Sequence, residues 1–363
     1  VNTRQLGAGF VGGGFMAAVH SRAARASGTR LAGLASSSPS RARESAEALG
    51  IGRGYDDLAA LLSDDSIDVV HICTPNALHA GQALAAIAAG RHVICEKPLA
   101  TTSEDAAELV RAAADAGVVA TVPFVYRFHP MVREARARFQ AGESGELLSI
   151  TGSYLQDWLV DAGEDNWRVD AAAGGASRAF ADIGSHLVDL IEFVTGQRIA
   201  RVAAVKRTFF ADRAQHSSIS TEDAVGVVLE TLGGAIGSLL VSQVAPGRKN
   251  RLQVEIAGTA ESIAFDQENP ETLWLGRRRG SQLLPRDAEQ LHPDAARLSV
   301  VPPGHPQGYQ DAFNAFVADS YAAIRGESPE GLPTFSDGLR AVRITEAVMS
   351  AAAGARWVEI EED

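Results

Sequence analysis

The sequence predicts an α/β chain: an N-terminal doubly wound parallel sheet, then a C-terminal α+β domain built on a large open, mainly antiparallel sheet. Three observations carry the prediction. Over residues 1–124, short apolar runs alternate with helical stretches in a βα rhythm. A glycine-rich turn, "GAGFVGGGFMA" at 7–17, stands between the first strand and the first helix. Beyond Phe124 the rhythm stops, and longer segments of alternating apolar and polar residues follow. The 363 residues suit two domains, 1–124 and 125–363, with the last helix able to pack back on the first.

In chain order, "RLAGLA" (30–35) reads as the second strand, and Ser38 with Pro39 forms the cap and first-turn pair of a helix running to Leu49. "IDVVHIC" (67–73) is an apolar run suited to burial on both faces of a parallel sheet. A helix across 77–89 ends at Gly90, and "RHVICEK" (91–97) is the next strand. Ala106, Leu109, Val110 and Ala113 keep helical spacing after Ser103, and "VVATVP" (118–123) closes the unit. In the second half "LLSITGSYL" (147–155), "RVAAVKRTFF" (201–210), "DAVGVVLET" (223–231), "AIGSLLVSQV" (235–244) and "RLQVEIAG" (251–258) read as strands. Gly233–Gly234 makes a hairpin turn between two of them. Helices are expected near 186–195, 309–325 and 336–353, with a short strand "RWVEI" after the last and a solvated turn at "RRRG" (277–280).

The glycine turn contains two overlapping dinucleotide-binding fingerprints, Gly7–Gly9–Gly12 and Gly12–Gly14–Ala17. Starting at Gly7 makes "VNTRQL" the buried strand, with Asn2, Arg4 and Gln5 in it, and puts three glycines in the helix at roughly 1 kcal/mol each. Starting at Gly12 gives the strand "QLGAGFV" and a glycine-free helix, "FMAAVHSRAARA". It also brings the ribose-binding position, about 20 residues on, to Ser36 at the end of the second strand. The second register is therefore expected. That ribose position holds "SSSPSR" (36–41), with no carboxylate. Ser36 and Ser37 can donate to a 2′-phosphate and Arg41 can pair with one, which favours NADP(H) over NAD(H). The plainer roles are a cap for Ser38 and solvation for Arg41.

Two turns at the ends of the following strands face the same edge of the parallel sheet, where such folds bind ligands. "CTPNALH" (73–79) offers Thr74, Asn76 and His79 to a ribose or diphosphate. In "EKP" (96–98) the residue before proline is pushed to extended backbone, which carries Lys97 past the strand end. In "GGASRAFADIGSHLVDL" (174–190), Asp182, His186 and Asp189 are spaced i, i+4, i+7 and would share one helix face. A histidine suits proton transfer near neutral pH, and an aspartate can orient it or hold a hydroxyl. A cap for Asp182 and a core role for His186 are the structural alternatives. No metal is expected, because no cysteine or third-ligand motif accompanies the pair.

These motifs, with "TPNALH" (74–79), "EKPLA" (96–100), "YRFHP" (126–130), "NWR" (166–168) and "GG…DIGSHLVD" in this order, resemble the Gfo/Idh/MocA family of NAD(P)-dependent sugar and polyol oxidoreductases over nearly the whole chain. The resemblance implies a Rossmann domain followed by an open-sheet domain that makes dimer or tetramer contacts. It implies hydride transfer between a nicotinamide and a secondary hydroxyl of a sugar, inositol or related polyol. It makes Lys97, Asp182 and His186 the catalytic trio, with either Lys97 or His186 as the base. It implies a cis bond before Pro98. It places Phe15, Met16, Pro75, Glu96, Arg127, Trp167 and Arg168 along the cofactor or the site mouth. Tyr126, Asp157, Trp158 and Asp165 are substrate candidates, since carboxylates and an indole suit a polyol, and His305 and Tyr309 of "GHPQGY" are candidates at its entrance. Asp161 lies in the same acidic stretch, and Trp158 and Trp167 serve equally well as core residues. Two departures stand out: Ala17 replaces the third glycine, and Ser36 the usual acid.

The net charge of −12 argues against nucleic acid or an acidic membrane as partner, and no run of eighteen apolar residues predicts a membrane span. Two cysteines, Cys73 and Cys95, suit packing in a reducing cytoplasm. Arg4 and the run Leu6–Val19 loosely imitate a leader, but glycines break the run. The rival functions are a lyase or glycosidase that keeps its nicotinamide bound and oxidises transiently, and a non-catalytic nucleotide-sensing regulator.

Overall fold

The computed structural model describes residues 5–361. Asn2 and Arg4, weighed above for the register and the leader, lie outside the described residues. Two compact units form: the described residues up to Val125 with Tyr309–Leu339, and Tyr126–Gly308 with Arg340 onward.

In the first unit β1 (Gly7–Val11), α1 (Phe15–Ala26), β2 (Arg30–Ala35), α2 (Pro39–Leu49), a short α3 (Leu58–Leu62), β3 (Val69–Ile72), α4 (His79–Ala88), β4 (His92–Cys95), α5 (Ser103–Ala116) and β5 (Ala120–Thr121) alternate as expected. The strands form a parallel sheet in the order β2-β1-β3-β4-β5. Chain order reverses between β1 and β3, so the crevice between their C-terminal ends is the topological switch point. The expected helix at 77–89 begins as a 3-10 turn, Asn76–Leu78, and the closing strand shrinks to two residues.

The second unit contains α6 (Pro130–Gln140), β6 (Leu147–Leu155), α7 (Ala171–Gly174), α8 (Ser185–Thr195), β7 (Ile199–Arg207), β8 (Ala224–Thr231), β9 (Ile236–Ser242), β10 (Arg251–Gly258), β11 (Ser262–Asp266), β12 (Thr272–Arg277), β13 (Gly280–Pro285) and α9 (Pro293–Ala296). Then come α10 (Tyr309–Ile324), α11 (Phe335–Gly354) and β14 (Val358–Glu359). The large sheet runs β13-β12-β11-β10-β6-β9-β8-β7-β14, antiparallel throughout except where β6 and β9 lie parallel. Arg278 and Arg279 do form the turn between β12 and β13.

The sequence boundary at 124/125 needs one amendment. All of α10 packs with the first unit: Phe313 lies 4.6 Å from the His20 ring and Gln310 donates to the Val19 carbonyl. It is thus α10, with the first five residues of α11, that returns to the first unit, because its apolar face covers α1. No described helix is long and apolar enough to cross a membrane.

Candidate active site

The glycine turn adopts the Gly12 register. β1 ends at Val11, α1 begins at Phe15, and Gly14 caps it without a side-chain bond, so the first-turn N–H groups have no side-chain cap. No acidic residue sits in that turn, which suits an anion at a helix N-terminus. Gly12 has φ +97°, and a Cβ there would lie 2.7 Å from the Cys73 carbonyl oxygen. At Gly14 a Cβ would meet nothing within 4 Å, leaving the open approach that a pyrophosphate needs. These features fit a bound dinucleotide. Ser38 is the N-cap of α2, accepting from the Arg41 N–H at 3.3 Å, while Ser37 and Arg41 are exposed and Ser36 is half-buried.

Beyond β3, the Thr74 hydroxyl donates to Gln82 at 2.6 Å. His79 departs from its expected place at a ligand. It is fully buried, with its ring nitrogens 2.8 Å from the Pro98 carbonyl and 2.9 Å from the Thr74 carbonyl. It ties the two strand-end turns together, and burial lowers its pKa. The Lys97–Pro98 bond is cis. Glu96 is buried and accepts from the Lys97 N–H at 3.1 Å, with His20 Nε2 3.0 Å from its other oxygen. Behind it, His20 Nδ1 meets His71 Nδ1 at 2.9 Å and His71 Nε2 meets the Tyr321 hydroxyl at 2.7 Å. Burial, then the neighbouring His20, pushes the His71 pKa well down. Burial also raises both thiol pKa values, consistent with packing roles for Cys73 and Cys95.

In the second unit, the chain around Asp182 is not the regular helix its spacing suggests. Phe180–Gly184 forms a π turn ahead of α8, a device that often re-aims side chains at functional sites. Glu222 holds its start, accepting from the N–H groups of Arg178 and Phe180, both at 3.0 Å, and from the Ser177 hydroxyl at 2.8 Å. Asp182 accepts from Gln243 Nε2 at 2.8 Å and pairs with Arg168 Nε at 3.4 Å. His186 is buried with Tyr126 edge-on at 5.0 Å and Tyr154 at 6.4 Å. Tyr126 and Tyr154 share a hydroxyl contact and both reach Asn250. Burial raises the Tyr126 pKa. Asp189 does not join Asp182. It forms a buried bidentate pair with Arg127, which also stacks on Phe193 at 4.8 Å. Arg127, expected along the cofactor, is thus committed to a buried ion pair.

Several substrate candidates serve the fold of the segment 157–170. Asp165 accepts from the backbone N–H groups of Gln215 and His216 and pairs with the His216 ring. Asp157 bonds Lys249 Nζ at 2.6 Å and the Gly247 N–H. Trp158 packs on a cluster of Leu159, Val169 and Ile219, and its indole N–H donates to Gln156 at 2.7 Å. Trp167 is half-buried, with the Arg168 guanidinium 4.4 Å over its ring. His305 is exposed, its carbonyl accepting from Arg286, and Tyr309 starts α10 in the first unit with its ring 5.9 Å from Phe313.

Sequence reasoning missed Gln243, Glu222, Asp223, Arg178 and Arg213. Asp223 is buried between Arg178 and Arg213, and Arg213 also holds the carbonyls of Leu159, Asp161 and Glu164. "TED" at 221–223, three polar residues entering an apolar strand, is the signal that marks this cluster.

A glycine turn built for a pyrophosphate at the switch point of a parallel sheet, in one chain with a held carboxylate and a buried histidine, defines a nicotinamide-dependent oxidoreductase. Residues 6–124 match the family described as "Oxidoreductase family, NAD-binding Rossmann fold", and residues 132–264 match the GFO/IDH/MocA C-terminal domain. The chain belongs to the Gfo/Idh/MocA family and is an enzyme of the dehydrogenase and reductase kind. It is similar to a levoglucosan dehydrogenase of Pseudarthrobacter phenanthrenivorans, 32% identical over 99% of both chains. A solved levoglucosan dehydrogenase in complex with NADH and levoglucosan superposes with a TM-score of 0.93 at 32% identity, covering 99% of this chain and 100% of that one. An inositol dehydrogenase homologue of Azotobacter vinelandii, complexed with NAD⁺, gives 0.90 at 28% identity over 98% of each chain.

Proposed function

We propose that the enzyme oxidises a secondary hydroxyl of a sugar, anhydrosugar, inositol or related polyol, or runs the reverse reduction. The single observation that carries this reading is the likeness along 99% of the chain to a sugar dehydrogenase solved with its nicotinamide and its sugar. When bound, the nicotinamide supplies the hydride acceptor or donor. Lys97 donates a hydrogen bond to the substrate oxygen and stabilises the alkoxide that develops there. His186 takes the hydroxyl proton as general base. Asp182, held by Arg168 and Gln243, accepts from a substrate hydroxyl and fixes the sugar against the imidazole.

Gly12, Gly14, Phe15 and Met16 hold the pyrophosphate. Thr74, Pro75, Asn76 and Glu96 line the nicotinamide side, with Trp167 and Arg168 at the mouth. The preferred cofactor is NADP(H), supported by the serines and Arg41 where an acid would repel a 2′-phosphate. The protein works in the cytoplasm as a homodimer or homotetramer. The exposed Val205, Val228, Ile236 and Leu240, which register places on one face of β7–β9, support that assembly. The test is a screen of levoglucosan, monosaccharides and inositols with NAD⁺ and NADP⁺, following reduced-nicotinamide absorbance. Turnover of at least one polyol with stoichiometric nicotinamide reduction is expected. Product release without net reduction would mean transient oxidation by a lyase or glycosidase.

A further inference from the structure

We infer that Gln243 is a positioning residue: its amide N–H holds the Asp182 side chain in place as a hydrogen-bond acceptor. The inference rests on the reading of Asp182 given above. Gln243 follows β9 and is fully buried. Its backbone is pinned on both sides, the N–H donating to the Asp223 carbonyl at 3.0 Å and the carbonyl accepting from Leu159 at 3.3 Å. The side chain is therefore mounted on a backbone fixed by the buried Arg178–Asp223–Arg213 cluster.

From there Nε2 donates to Asp182 Oδ2 at 2.8 Å, and Gln243 Oε1 has no partner among the described residues. A flipped amide would set oxygen against oxygen, so Asp182 itself fixes the orientation. An apolar residue would fill this space without leaving a buried acceptor unmet. What the amide adds is one donor at Asp182. Arg168, from the segment 166–168, lies 3.4 Å from Oδ1, the Tyr126 phenol ahead of α6 is near enough to feel the Asp182 charge, and His186 stands four residues on in α8. Arg168 is a partly exposed partner on Oδ1. Gln243 supplies a second point, on the other oxygen, and two points fix the plane of a carboxylate.

The test uses Q243L and Q243E, with D182N as reference. Q243L removes the donor, and kcat should fall about 10–100-fold at every pH while NADH affinity stays unchanged. Q243E is the sharper variant. While the introduced carboxyl group keeps a proton it can still donate to Asp182, so the variant works. Once that proton leaves, two carboxylates face each other and the contact is lost. The kcat/KM profile of Q243E should therefore show a new alkaline limb, falling about tenfold per pH unit, absent from wild type and from Q243L. This readout compares pH values within one preparation, so a lower folded yield leaves it intact. A Q243E profile parallel to that of wild type, or NADH affinity falling along the same limb, overturns the inference and leaves Gln243 a packing residue. D182N with wild-type activity instead removes Asp182 from the catalytic trio. D182N impaired with Q243E unchanged in profile overturns the role of Gln243 alone.

Discussion

At position 12 the backbone has φ +97° and the Cys73 carbonyl lies 2.7 Å from where a Cβ would sit, whereas position 14 has open space around it. The two glycines therefore fail differently. Gly12→Ala costs about 1–2 kcal/mol from the left-handed backbone alone, with the carbonyl clash added, and should lower the melting temperature and dinucleotide affinity together. Gly14→Ala should leave the melting temperature within about 2 °C of wild type yet weaken NAD(P)H binding at least about tenfold, because the methyl stands where the pyrophosphate is proposed to approach. Fluorescence titration beside thermal unfolding separates them. Arg41 carries its own prediction. Arg41→Ala should raise KM for NADP⁺ about tenfold and leave KM for NAD⁺ within twofold, since only the 2′-phosphate gains from a guanidinium. Equal effects on both cofactors would withdraw the NADP(H) preference.

Among elements, the segment 157–170 is held by side chains rather than by a strand or long helix. Asp165 is its clamp. Burial pushes its pKa up, but the Gln215 N–H and the His216 ring outweigh this and the net shift is downward. A lowered carboxylate pKa means that the clamp stabilises fully above the ordinary Asp value near 3.9 and is lost as pH falls through the shifted value. Asp165→Asn should therefore be less stable than wild type at pH 7, with the gap closing as pH falls below the ordinary Asp value and through the lowered one, as acid and urea unfolding measure. The same segment shows where the sequence stopped being legible. Strands β2, β6 and β10 and helices α2 and α5 follow from period and caps, because neighbouring residues decide them. Asp157 and Asp165 read as ligands for a polyol because a surface carboxylate and a clamping one look alike until the partner, Lys249 or His216, is brought from far along the chain. Helical spacing grouped Asp182 with Asp189, but a π turn and the buried Arg127 separated their work.

Over the whole molecule, the order of motifs revealed the family and both sheets. Strands β11 to β13 were missed, since short segments such as the largely exposed "GSQLLP" carry little alternation. The return of α10 to the first unit was also illegible in position, because it depends on Phe313 and Tyr321 reaching two histidines near the chain's start. The outward apolar residues of β7–β9 set the assembly prediction. Ile236→Glu with Leu240→Lys should shift the protein to monomers by light scattering while its circular dichroism is unchanged.

The most direct measurement is single-turnover hydride transfer at saturating cofactor and polyol in wild type, Lys97→Ala and His186→Ala. Losses of about 10²–10⁴-fold in both variants, with NAD(P)H affinity retained, are expected from a lysine and a histidine that serve one hydroxyl. Wild-type rates in both would contradict it.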